Sequence, residues 1–323
     1  MKSSAPPYVA EDSIVLTTMS TQQAIAIASE HLKGLRGHVF DLLTVSKPVS
    51  PDAAINLTKV ISKLSPLLGN LIEFNSVEYL NEKDEFRDLG RWLRQDPGFP
   101  DTIFEGHVTP TPGFEIKAWF PLATEITARF KDSQNHFVHD NTYVTMLAWL
   151  PEHIIYGKPR ILDVVVLSGA SVAKARDNHY HNPPDYIVLE PEDTTTRTRN
   201  LQQTNTNGYK FQGSPAEFHA AQQMVAQWGP HGRIYEPTPQ YQRLLRQLLG
   251  NFRYRMDTNF AKMDRIVHPE LEGFKTKVQN TVVHGMTVLQ WERLFRNHSD
   301  TEIKHVLAQR LDIGDMNAEE IVR

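Results

Sequence analysis

Two short segments carry the residue types best suited to chemistry: Phe99-Pro100-Asp101, and further along Phe114-Glu115-Ile116-Lys117-Ala118. If residues 113 to 120 form a strand, its side chains alternate between two faces. Glu115 and Lys117 then share one face, while Phe114, Ile116, Ala118 and Phe120 share the other and hold the strand in a sheet. Asp101 reaches the same place if a preceding strand runs alongside. Two converging carboxylates bind a hard divalent cation through oxygen, which suits Mg²⁺ and its retained waters. Such a metal polarises a phosphate and lowers the pKa of a bound water, and an adjacent ammonium orients the nucleophile and steadies developing charge. These are the parts that phosphodiester hydrolysis needs.

The combination occurs once. A second Glu-x-Lys, Glu302-Ile303-Lys304, lies in a helical-looking stretch with no Pro-Asp strand before it. The other Pro-Asp pairs, Pro51-Asp52 and Pro184-Asp185, lack a Glu-x-Lys strand at a suitable distance.

Pro100-Asp101 followed by Glu115-Ile116-Lys117 resembles the PD-(D/E)XK nuclease superfamily, whose best-known members are type II restriction endonucleases. The resemblance covers roughly residues 64 to 190, read as helix, strand with Asp, strand with Glu-x-Lys, strand, helix, strand. It implies a restriction-endonuclease-like mixed central sheet flanked by helices. It also implies Mg²⁺ held by Asp101 and Glu115, with Lys117 as the catalytic partner, and sequence-specific cleavage of double-stranded DNA. Some members carry a further glutamate on the preceding helix. Gly69-Asn70-Leu71-Ile72-Glu73 matches that helix, which makes Glu73 an additional candidate catalytic residue and metal ligand. A homodimer follows from the two-fold symmetry of palindromic DNA, not from these residues. Within the same superfamily, a nicking or structure-selective repair nuclease is the alternative.

Other clusters support different readings. Arg253 and Arg255, within a run of arginines and aromatics from 240 to 265, would lay a basic stripe along DNA. The stretch from Gln202 to Lys210 is rich in amides, and Asn205, Asn207 and Lys210 are candidates for base or phosphate contact. Alone, these features describe a DNA-binding protein without catalysis. His179, His181 and Asp185 would suit a transition metal and a small-molecule enzyme. No phosphate-cradling G-x-x-x-x-G-K loop and no Gly-x-Ser-x-Gly elbow is present, which argues against a P-loop motor and an elbow-type serine hydrolase.

The elements that must position these residues follow from patterning. Helix is predicted over 21–45, from about Ser50 to Leu64, and over 67–80; strands over 100–120 in two pieces, 143–150, 160–167 and 185–189; and helix over 168–180. Residues 192–213 read as a long polar loop, and 215–228, 239–265 and 286–311 as helix. The class is α+β with an α/β core and helical extensions at both ends. Three regions result: a helical 1–63, a catalytic core with DNA-recognition loops at 64–235, and a helical 236–323. The 323 residues suffice for a large buried core, and 40% hydrophobic with 22% charged is ordinary for a globular chain. A net charge of −4 does not exclude DNA, because affinity follows the placement of cations and a metal site itself gathers carboxylates. The absence of cysteine rules out disulfides and thiolate zinc, and points with the poor N-terminal leader to the cytoplasm. No window reaches the ~18 apolar residues of a membrane span.

Overall fold

Ser20 opens the first helix, α1 (Thr21–Gly34), with a capping box: its hydroxyl accepts the Gln23 N–H, and its own N–H donates to the Gln23 side chain. The computed structural model describes residues 19–95, 98–123, 125–126, 128–137, 139–190, 206–236 and 238–314. The predicted helix over 21–45 ends at Gly34. Beyond it, Gly37 takes φ +84°, and the chain runs as an extended segment with bridges at Val39 and Val45. An open sheet edge competes with helix there, and the carbonyls of Pro159 and Gly157 accept the N–H groups of Phe40 and Val45. Ser50 caps α2 (Pro51–Val60), a short 3₁₀ turn follows, and α3 (Ser65–Asn81) leads into the sheet.

The main sheet contains β1 (Gly90–Arg94), β2 (Thr102–Gly106), β3 (Gly113–Trp119), β4 (Thr142–Pro151) and β5 (Pro159–Ser168), side by side in that order. Every neighbouring pair is antiparallel except β3 with β4, which is parallel. The sheet is therefore mixed, and with helices around it the chain is α+β as the patterning predicts. One face packs Phe114, Ile116 and Phe120 against Leu68 and Ile72 of α3, in a core that also takes in Leu32 of α1 and residues of the two last helices. Trp92 meets Phe86, Phe104 and Phe114 with ring centroids 5.2–5.5 Å apart, an aromatic cluster that pins β1 and β2 beneath α3.

The opposite face carries α4 (Gly169–Tyr180), whose Val172 and Ala173 pack with Val144 and Met146 of β4. The strand expected to complete the central sheet, β6 (Tyr186–Leu189), instead joins β7 (Asn207–Phe211) and β8 (Tyr254–Asp257) in a second, antiparallel sheet. Its outer face is covered by α5 (Pro215–Ala226) and α6 (Pro239–Asn251) through Ile187, Phe211, Ala221, Leu245 and Leu248. Patterning missed β1 and β7 and read β8 as helix. The alternation Tyr-Arg-Met-Asp is a strand signal, but it is brief and follows a strongly helical run without a break. The C-terminal part holds α7 (Pro269–Asn280), a small hairpin of β9 (Val282–Val283) and β10 (Met286–Thr287), α8 (Val288–Asn297) and α9 (Asp300–Leu311). Ser299 and Glu302 form a capping box that separates α8 from α9. That is the use of the second Glu-x-Lys: Glu302 caps a helix and Lys304 pairs with Asp52.

Candidate active site

Only Thr102 and Ile103 of β2 pair with β3, opposite Phe114 and Gly113. Gly113 allows this approach, since a Cβ there would stand 2.5 Å from Pro100 Cγ. Beyond that point the β2-side edge of β3 needs other partners for its N–H groups. Carboxylates supply them. Asp101 Oδ2 accepts the Ile116 N–H at 2.7 Å, and Glu73 Oε1 accepts the Ala118 N–H at 3.3 Å. In return, the Asp101 N–H donates to Glu115 Oε2 at 3.2 Å. The backbone geometry of a strand edge thus sets Asp101 and Glu73 beside the Glu115–Lys117 face.

Lys117 is the hub. Its Nζ lies 2.6 Å from Glu115 Oε1 and 3.2 Å from Asp101 Oδ2. Side-chain exposure is 7% at Glu115, 17% at Lys117 and 26% at Asp101, so the cluster is largely buried and reaches solvent mainly through Asp101. Glu73 approaches from α3, where Gly69 brings the helix against Ala118. All four residues predicted from the motif converge.

Burial pushes the Glu115 carboxyl far above the usual carboxylate range; Lys117 pulls it back, and the Asp101 and Asp132 carboxylates push it further up. The same causes hold Glu73 up at about 7: burial first, with Lys117 opposing and Asp101 reinforcing. Burial alone would strip the proton from Lys117, but the Glu115, Asp101 and Glu73 carboxylates outweigh it and keep the ammonium charged. Three ionised carboxylates around one cation would leave a local excess of negative charge, and the raised Glu73 and Glu115 carboxyls relieve it by holding protons. Among the described residues, no hydrogen bond reaches Asp101 Oδ1 or Glu73 Oε2.

Two participants escaped sequence reading. Asp132, 4% exposed, acts on Glu115 through its charge, and Arg94, at the end of β1, acts on Glu73. Neither lies in a motif. Both arrive through tertiary folding, Asp132 from the long connection between the parallel strands β3 and β4.

The other predicted sites fare differently. Lys210 on β7 and Arg255 on β8 stand directly opposite each other across the second sheet. Asn207 opens β7, whereas Arg253 precedes β8 and pairs with Glu217 at 2.8 Å. Asn205 lies outside the described residues. His179 is exposed on α4, while His181 is buried with its Nε2 2.6 Å from the Tyr241 hydroxyl. Among the described residues no group of three His, Asp or Glu stands ready to hold a metal by itself, and this covers Glu73, Asp101 and Glu115 as well as the His179–His181–Asp185 set.

No family model matches the chain, and neither does any curated protein or solved structure. Among the described residues, no helix is long and apolar enough to cross a membrane.

Proposed function

We propose that the chain is a Mg²⁺-dependent endonuclease that hydrolyses phosphodiester bonds in double-stranded DNA, as the resemblance to PD-(D/E)XK nucleases implies. The observation that carries this reading is the meeting of Glu73, Asp101 and Glu115 around the Lys117 ammonium. The donor set fits Mg²⁺ in chemistry: it is all oxygen, it holds three carboxyls against one ammonium, and among the described residues two of its oxygens accept no hydrogen bond. Mg²⁺ is commonly held by one or two carboxylates and completes its shell with water and substrate phosphate, so a preformed cage of three is not required. Asp101 and Glu115 would hold the ion, with Glu73 as an outer or third ligand. When bound, it would activate water and neutralise phosphate charge.

The chain's own residues do the rest. Asp101 and Glu115 also orient Lys117, whose ammonium would stabilise charge that develops on the scissile phosphate. Glu73 and Asp101, fixed to the backbone of β3, keep the cluster from collapsing when Lys117 shifts toward substrate. Cleavage of both strands at a two-fold symmetric site calls for two such centres, and hence a homodimer.

The test is digestion of a sequenced supercoiled plasmid with and without Mg²⁺, followed by mapping of the ends. Discrete ends on both strands support restriction-type cleavage, and open circles alone support nicking. Absence of any Mg²⁺-dependent cutting across a broad panel of sequences and duplex structures ends the reading.

A further inference from the structure

The inner face of the second sheet carries a feature that the catalytic cluster does not explain. In an antiparallel sheet, directly opposed residues share a face, so Tyr186, Lys210 and Arg255 form one row across β6, β7 and β8. Like charges directly opposite one another destabilise a sheet. Lys210 and Arg255 are such a pair, and Arg265 joins them at the rim of a cavity of about 460 Å³. Two carboxylates, Asp185 and Asp257, line the same cavity, yet among the described residues none of the three cations forms a salt bridge. Asp257 is already committed: its Oδ2 accepts the Tyr186 hydroxyl at 2.9 Å and its Oδ1 accepts the Asn259 N–H at 2.8 Å. Three cations against two carboxylates, with no ion pair formed among the described residues and two of the cations on adjacent strands, are an arrangement that an anion would complete.

We propose that this cavity is a phosphate-binding site that grips the backbone of a DNA duplex away from the scissile bond. Guanidinium groups bind phosphate oxygens in bidentate fashion, and a lysine adds a point charge. The cavity is large enough for a phosphate and part of its sugar, and Tyr186 and His179 give the walls for it. That the phosphate belongs to duplex DNA rests on the nuclease reading; that the site takes a phosphate does not.

The test measures binding apart from cutting. Full-length protein is titrated onto a fluorescently labelled 20-bp duplex in EDTA, across a range of salt, as wild type and as Lys210→Glu/Arg255→Glu. Both changed side chains of the double variant are exposed on a strand surface, and the milder Lys210→Gln/Arg255→Gln serves if the first fails to fold. The double variant should bind about tenfold or more weakly, and the slope of log affinity against log salt should fall by about 1. Unchanged affinity and slope in the folded double variant overturn the proposal. So does a pocket that takes inorganic phosphate while the protein ignores the duplex, which would assign it to small anions. The two readings fail separately. If nothing is cut but the double variant loses duplex binding, the nuclease reading falls and this site stands. If wild type cuts and the double variant binds normally, the reverse holds.

Discussion

Two buried clusters in this chain are built from the same parts, one cation among carboxylates, and differ in how completely they are satisfied. The first is Lys117 with Glu73, Asp101 and Glu115. The second surrounds Arg176, which is wholly buried. Arg176 Nε donates to Asp177 Oδ1 at 2.7 Å, its Nη1 to the Lys131 carbonyl at 2.7 Å, and its Nη2 to Glu190 Oε1 at 3.1 Å. Gln134 covers Asp177 Oδ2 at 2.8 Å, Tyr235 adds a second donor to Glu190 Oε1 at 3.1 Å, and Thr206 covers Oε2 at 2.9 Å. Every carboxylate oxygen there has a donor. Around Lys117, among the described residues, two do not, and Asp101 keeps 26% of its side chain exposed. A saturated cluster has nothing left to bind and serves as a strut, here joining α4 to β6 and, through Gln242, to α6. An under-satisfied one keeps its lone pairs for a ligand. Hydrogen-bond completeness, more than charge count, separates scaffold from site.

The comparison breaks first on stability. Arg176→Ala leaves Asp177 and Glu190 buried beside each other without their cation, and should lower unfolding free energy by about 3–5 kcal/mol in urea titration. Lys117→Ala also removes a central cation, but its carboxyls can take up protons and reach water, so its stability loss should be clearly smaller. Equal losses in the two variants would mean that the clusters do not differ in kind. On cleavage, Lys117→Ala should cost about 10²- to 10³-fold in single-turnover rate, the usual penalty for removing a donor aimed at developing charge.

Much of the site was legible because it is local: Glu115 and Lys117 share a face by strand alternation alone, and Asp101 precedes the adjoining strand. Glu73 was placed through the resemblance, while the edge-capping hydrogen bonds that fix it are tertiary. The Arg176 network was invisible. Arg176 and Asp177 are sequence neighbours, but Glu190, Thr206, Tyr235 and Gln242 come from four further segments with no common spacing. Of the fold, the long helices and the paired strands β4 and β5 were readable from periodicity. Residues 35–45 and β8 were not, since what decides them is an unpaired strand edge elsewhere: β5 for the first, β7 for the second. The expected order of strands held from β2 to β5, but β1 was missed because Gly90–Arg94 is short and mostly polar, and β6 departs because β7 and β8 offer it pairing on another sheet.

Glu73→Gln sharpens the contrast by a smaller step. The amide oxygen still accepts the Ala118 N–H, but the charge and one metal-facing oxygen are lost. Cleavage at limiting Mg²⁺ should fall roughly tenfold and recover in part as Mg²⁺ is raised. Stability should move the other way. A carboxyl whose folded pKa is raised from 4.5 to about 7 favours the fold below the unfolded value and loses that advantage as pH rises. The variant should therefore gain on wild type at pH 8 and match it below pH 4.5, read as the difference in urea midpoint. A variant equally active and no more stable at pH 8 would make Glu73 an ordinary helix glutamate.

The pH profile gives the smallest effect and separates the two regions without mutation. Metal must displace protons from Glu73 and Glu115, so cleavage at low Mg²⁺ should rise with pH through about 7 and 8 and level off above. Raising Mg²⁺ should move the midpoint to lower pH, because ion and proton compete for the same oxygens. The scaffold responds elsewhere. Burial, with the Arg176 charge assisting, holds His181 down at about 4 against 6.5. The folded state thus resists protonating it, and its contribution to stability, complete above 6.5, is lost as pH falls from there toward 4. Activity should consequently fade between pH 8 and 6.5 in a protein whose circular dichroism is unchanged, and the fold should weaken only below that. A cleavage midpoint indifferent to Mg²⁺, or one that tracks unfolding, would show that the carboxyls around Lys117 are not the groups that meet the metal.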